Sequence, residues 1–170
     1  MLKLSIFRHA KSSWDDPSLD DFDRPLGPRG LKAAPRMGRF MQERDVCPEL
    51  VLCSPAKRTR ETLALVAEML GHPRADYPAE LYLGEPEALL DAIRRTQAGV
   101  SHLMLIGHNP GLQSLALELQ GPGNGEGSKT LPSKFPTGGL AVMTFAVERW
   151  TEIERGKGRL ELFMTPKRLP

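Results

Sequence analysis

Arg8 and His9 stand side by side where a short apolar run, LKLSIF, gives way to polar sequence. Two later stretches repeat the pattern: CSPAKR, carrying Arg58, follows the apolar ELVL, and IGHNPG places His108 directly after HLMLI. Guanidinium groups match phosphate oxygens bidentately. Ser54 reads as a helix N-cap with Pro55 as the first helical residue, and Asn109 and Pro110 repeat that grammar. Helix N-termini offer unpaired N–H groups and the positive end of a dipole, so these junctions attract a phosphate-sized anion. Lys11, Lys57 and Arg60 lie near enough in sequence to reinforce them.

The imidazoles add chemistry that simple anion binding does not need. A histidine with one ring nitrogen held as a donor keeps a lone pair on the other, able to attack phosphorus and carry the phosphoryl group covalently. That requires a neutral ring, which an ordinary pKa of about 6.5 supplies near neutral pH. A second imidazole acting as donor would stabilise charge on the transferring group, as the arginines would. Arg8, His9, Arg58 and His108 therefore fit phosphoryl transfer through a phosphohistidine intermediate.

Three junctions can meet only if the chain brings their strands to one edge. LKLSIF, ELVLCS and HLMLIG read as buried strands, and PAKRTRETLALVAEML, PEALLDAIRR and PGLQSLALELQ as helices. A first helix is expected over Leu31 to Glu43, kinked at Pro35 or beginning close to it. RADYPAELYLG reads as irregular, and LAVMTFAV and RLELFMT as a closing hairpin. The alternation predicts an α/β layered domain with a largely parallel sheet, where ligands sit beyond the carboxyl ends of the strands. GPGNGEGSKTLPSKFPTGG reads as a surface loop; its Gly-rich 121–128 segment lacks the Gly-Lys-Ser/Thr and following helix of a nucleotide-binding loop.

Composition excludes more than it assigns. A net charge of +2 gives no cause to expect nucleic acid or an anionic membrane as partner. Cys47 and Cys53 are too few for a disulfide framework, and with His9 and His108 they form no metal-ligand spacing, so neither metal nor cofactor is expected. MLKLSIF is too short for a signal peptide, and a cytoplasmic location follows as the expectation. His72 and His102 read as structural or exposed, and Trp14 and Trp150 as packing or contact residues. Capping alone accounts for Ser54, Pro55, Asn109 and Pro110, without excluding a binding role.

Taken together, FRHAKS, SPAKRTRET and IGHNPG resemble the signature segments of the histidine phosphatase superfamily. DFDRPLGPRG, FMTPKRL and the compact length resemble its SixA-like phosphohistidine phosphatase branch, from the first strand to Pro166. The resemblance implies one histidine phosphatase domain over 1–170. It also implies a three-layer, phosphoglycerate-mutase-like α/β fold, with helices on both faces of a mixed, mostly parallel sheet. His9 matches the nucleophile, Arg8, Arg58 and His108 the phosphate-binding set, and Arg24 a position near the pocket. Ala10 stands where the superfamily's Arg-His-Gly has glycine; a positive φ there would strain it.

No general acid stands out; Glu80, Glu85, Asp21 and Asp23 are candidates by position. Ester hydrolysis usually needs one to protonate the departing alkoxide. A phosphohistidine protonated on its other nitrogen releases neutral imidazole and asks less of the enzyme. The sequence also holds no long insertion before HLMLIG to build a lid, which suits a protein substrate. The expectation is a phosphatase acting on phosphohistidine of a phosphorelay or phosphocarrier protein. A small-molecule phosphomonoesterase and a non-catalytic phosphate-binding module are the alternatives.

Overall fold

The computed structural model describes residues 1–123 and 130–170; part of the Gly-rich stretch, 124–129, lies outside the described residues. The strands are β1 (Leu2–Arg8), β2 (Leu50–Cys53), β3 (Arg74–Asp76), β4 (His102–Gly107), β5 (Leu140–Phe145) and β6 (Arg159–Met164). Helices α1 (Pro28–Glu43), α2 (Lys57–Val66), α3 (Pro86–Arg94) and α4 (Gly111–Leu119) alternate with the first four strands and follow the fourth. One six-stranded sheet results, in the order β3-β2-β4-β1-β5-β6. The β2–β3, β2–β4 and β1–β4 pairs are parallel; β5 runs antiparallel to β1, and β6 antiparallel to β5. The sheet is thus mixed and mostly parallel, closed at one edge by the expected hairpin.

Side chains alternate across a strand, and that alternation divides the core. Leu4 and Ile6 of β1 and Leu103 and Leu105 of β4 meet Leu89, Ile93, Leu112 and Leu115 of α3 and α4. Phe7, Met104 and Ile106 turn the other way, onto Ala34, Met37, Leu63 and Val66 of α1 and α2. Three layers follow, each central strand buried on both faces.

Two sequence expectations change. Helix α1 begins at Pro28, not Leu31, because a proline in the first turn lacks only an N–H that the helix would leave unpaired anyway. It then continues through Pro35, which withdraws the donor from the carbonyl of Leu31, a residue on the exposed side at 48%. The segment read as irregular contains β3, whose three residues are too few to show a period of two.

Register is what positions the site. Arg8 pairs with Gly107 across β1 and β4, and Cys53 with Ile106 across β2 and β4. The residues that follow these three strands, His9, Ser54 and His108, therefore emerge together at one sheet edge.

Candidate active site

His9 is anchored by its backbone before its side chain does anything. Its N–H donates to the Gly107 carbonyl (3.2 Å), and its own carbonyl accepts from the Gly138 N–H (2.9 Å). Gly138 adopts φ +73° to make that approach, a conformation that side-chain-bearing residues rarely hold. The next residue, Ala10, is fully buried and is not among the positive-φ residues, so alanine fits without strain. Its N–H donates to Thr62 Oγ1 (3.1 Å), which itself donates to the Arg58 carbonyl (2.7 Å), tying the turn to α2.

The imidazole of His9 is set by a single contact. Nδ1 lies 2.7 Å from the Ala10 carbonyl oxygen, which can only accept, so Nδ1 carries the hydrogen and Nε2 keeps its lone pair. Burial first, then Arg58, Arg8 and Arg24, lower the pKa to about 4, against the pull of the Ala10 carbonyl. His9 is neutral at neutral pH in the absence of an anion.

His108 lies beside it, ring centroids 5.3 Å apart. Its Nε2 is 2.7 Å from Ser54 Oγ, while Nδ1 is buried with no partner. Ser54 Oγ also accepts from the Ala56 N–H (3.4 Å); in the tautomer where its own hydrogen goes to Nε2, Nδ1 carries the ring hydrogen as an unanswered donor. Burial and then Arg58 lower the His108 pKa to about 3. Ser54 and Asn109 are not the N-caps expected of them. Helix α2 starts at Lys57 after Ala56, and α4 at Gly111 after Pro110, with no side-chain cap at either. Each polar side chain is used elsewhere: Ser54 on His108, and Asn109 Nδ2 on the Phe135 carbonyl (2.9 Å).

Three guanidinium groups surround the imidazoles. Arg8 donates through Nη1 to the Phe135 carbonyl (3.0 Å), while its Nε is buried and unpartnered. Burial and the neighbouring Arg58 lower its pKa. Arg58 gives Nη1 to the Asp21 carbonyl (2.6 Å) and Nη2 to Asp21 Oδ2 (3.0 Å). Arg24 reaches Asp21 Oδ1 (3.0 Å), Ser12 Oγ (2.6 Å) and the Ser13 carbonyl (3.1 Å), with Trp14 stacked 3.2 Å from its guanidinium carbon.

Asp21 is the one acid candidate that reaches this cluster. Burial would raise its pKa, but hydrogen bonds from Tyr82 and Arg58 outweigh it and hold the carboxyl down at about 2. It is ionised, and bridges Arg58 and Arg24 where an anionic ligand's oxygens would compete. Glu80 instead pairs with Arg95, and Glu85 and Asp23 are exposed without a bond to the cluster among the described residues. Among the described residues, no hydrogen bond or ion pair joins Lys11, Lys57 or Arg60 to it; Arg60 donates to the Pro55 carbonyl. Sequence reasoning missed Thr62, Ser54 as a partner of His108, and Tyr82, whose ring meets His108 edge-on at 5.6 Å. The four-residue spacing of Arg58 and Thr62 on one helix could have signalled the first. No local pattern announces the other two.

The geometry describes a pocket with a lone pair on one imidazole, an unpartnered ring nitrogen on the other, and excess positive charge. The family model of the histidine phosphatase superfamily (branch 1) matches residues 4–98. An uncharacterized protein of Mycobacterium tuberculosis is 34% identical over 94% of this chain and 99% of its own. A Nakamurella multipartitia structure assigned as phosphohistidine phosphatase SixA superimposes with a TM-score of 0.83 at 27% identity, over 97% of this chain and 96% of that one. A protein histidine phosphatase SixA complexed with tungstate gives 0.80 at 27%, over 99% and 100%. Sheet order and layers are those of the phosphoglycerate-mutase-like α/β fold. The chain belongs to the histidine phosphatase superfamily, in its SixA-like branch, and is a phosphatase.

Proposed function

We propose that the protein removes phosphate from phosphohistidine on a protein, through a covalent intermediate on His9. The observation that carries this reading is the hydrogen bond from His9 Nδ1 to the Ala10 carbonyl. It leaves Nε2 as a nucleophile in the resting enzyme. After attack, the same Nδ1–H makes the ring a neutral leaving group once the nitrogen–phosphorus bond breaks.

In the first half, Nε2 of His9 bonds to phosphorus as the substrate's nitrogen–phosphorus bond breaks, and the substrate imidazole, protonated on its other nitrogen, departs neutral. Arg8, Arg58 and the Nδ1–H of His108 receive the phosphoryl oxygens, with Arg24 behind them; Asp21 yields its place on Arg58 to the phosphate. In the second half, water attacks phosphorus, releasing inorganic phosphate and neutral His9. Every step is carried by protein groups and water. In the resting site Asp21 is ionised, so no protonated carboxylic acid stands ready for an alkoxide leaving group, which favours a phosphorus–nitrogen substrate.

The whole chain, 1–170, acts in this reading as one catalytic domain. A cytoplasmic setting is supported by Cys47 and Cys53, both free thiols. Among the described residues, no helix is long and apolar enough to cross a membrane.

Phosphate release from a histidine-phosphorylated carrier protein and from an aryl phosphate ester, measured side by side with His9→Ala as control, tests the proposal. Faster, His9-dependent cleavage of the phosphohistidine supports it. Preference for the ester assigns a small-molecule phosphomonoesterase, and binding without turnover of either assigns a phosphate-binding module.

A further inference from the structure

Beside the candidate active site lies a groove of about 510 Å³ whose lining includes Lys11, Arg29, Lys32, Arg36 and Lys167 and, among the described residues, no carboxylate. None of these five cations has an ion-pair partner among the described residues. In a chain of net charge +2, that is a concentrated patch of one sign. Three of the five, at positions 29, 32 and 36, follow helical spacing along one exposed face of α1. Arg29 falls in the first turn, where the helix dipole favours an acid and opposes a cation, and no acid is present there. Helix stability does not explain that choice.

The groove shares its walls with the pocket. Lys11 is two residues past His9, and Thr137, also in the lining, precedes the Gly138 that holds the His9 carbonyl. The start of α1 is pressed against Lys11: a Cβ on Gly30 would stand 2.2 Å from the Lys11 oxygen. Pro166, from the C-terminal turn, lies against Gly138. Three segments distant in sequence thus hold cations next to the phosphoryl-accepting edge.

We infer that this groove docks an acidic surface of the phosphohistidine-bearing protein, setting the domain's phosphoryl group over His9; the inference rests on the protein-directed reading above. Opposite charge steers encounter and fixes orientation, so the groove acts on association with the protein substrate, not on the chemistry.

The test compares an acidic phosphotransfer domain carrying phosphohistidine with free phosphohistidine as substrates, for wild type and for the double variant Lys32→Glu/Arg36→Glu. Expected is a KM for the domain raised about tenfold or more in the variant, with kcat and the free-phosphohistidine kinetics unchanged. Added salt should lower wild-type kcat/KM for the domain and flatten that difference. Lys167→Glu, outside the helix, should produce a smaller rise of the same kind and guards against a folding defect in α1. Equal losses on both substrates would overturn the proposal, as would a variant indistinguishable from wild type on the domain. Should wild type cleave only free phosphohistidine or esters and leave the domain intact, the protein-directed reading falls, and the groove's role with it.

Discussion

Three buried histidines lie at the two ends of the same pair of central strands, and burial does not tell them apart. His9 and His108, at the carboxyl ends of β1 and β4, are 6% and 4% exposed; His102, which opens β4, is 7% exposed. Burial lowers all three pKa values, to about 4 for His9 and His102 and about 3 for His108. What differs is how their polar atoms are satisfied. His102 Nε2 meets Ser5 Oγ at 2.8 Å, the Cys47 backbone pulls its pKa up, and its backbone N–H donates to Glu49. At the opposite end, among the described residues, His9 keeps a free lone pair, His108 Nδ1 and Arg8 Nε have no partner, and two arginines, Arg58 and Arg24, converge on the Asp21 carboxylate. A core histidine closes its account with the fold, whereas the other pair holds capacity open for a ligand.

The sharpest way to break this contrast is to exchange the outcomes of mutation at its two ends. His9→Ala should lower turnover by at least about a thousandfold while phosphate still binds, as loss of a covalent nucleophile does. Single-turnover phosphate release checks it, and residual wild-type-like turnover would dismiss His9 as the attacking group. Arg58→Ala should cost about 10²–10³-fold in kcat/KM, because in the proposed mechanism the guanidinium faces charge that develops on the phosphoryl group. If neither KM nor kcat moved, Arg58 would be merely an anchor for Asp21. At the other end, His102→Ala should leave kinetics within about twofold of wild type but destabilise the fold by about 1–3 kcal/mol, the penalty for orphaning Ser5 and its neighbours. Denaturant unfolding measures that loss.

Acidification should act on both ends together in stability and on one end alone in activity. Each histidine binds its proton more weakly folded than unfolded, so the unfolded chain takes up protons first as pH falls. Their contribution to stability is complete above about pH 6.5 and declines toward pH 4, the slope being positive in pH. Melting temperatures across that window test the sign. In activity, kcat/KM reports the free enzyme, so after correction for titration of the substrate it should stay level down to about pH 5 and fall toward the His9 pKa of about 4. An acid limb near 6.5 would mean that His9 titrates as an exposed histidine. The smallest effect is none: a chelator such as EDTA should leave the rate unchanged at both pH extremes.

Much of the active-site constellation was legible because it follows a local rule. Strand–helix junctions in an α/β layered chain collect at one edge, so Arg8, His9, Arg58 and His108 could be grouped from positions far apart in sequence. Ser54 and Asn109 also stand at the right junctions, but their cap assignment failed. A capping preference is weak beside a buried imidazole or carbonyl that needs a partner, and the helices start later than the turn signals suggest. Asp21 could be named only as one of four carboxylates. Its selection depends on Arg58 and Tyr82, respectively 37 and 61 residues away, and no sequence spacing encodes that meeting.

By itself, then, the sequence determined the order of strands and helices apart from β3, the layered class, the family and the grouping of Arg8, His9, Arg58 and His108 as candidates for phosphate chemistry. It did so through periodicity, junction chemistry and motif, all of which are properties of short stretches. Only the tertiary structure decided which nitrogen of His9 bears its hydrogen, that Asp21 occupies Arg58, and that Lys11, α1 and Lys167 form one basic groove. These depend on strand register and on which face of each helix turns inward, and such contacts exist only once distant segments have been packed together.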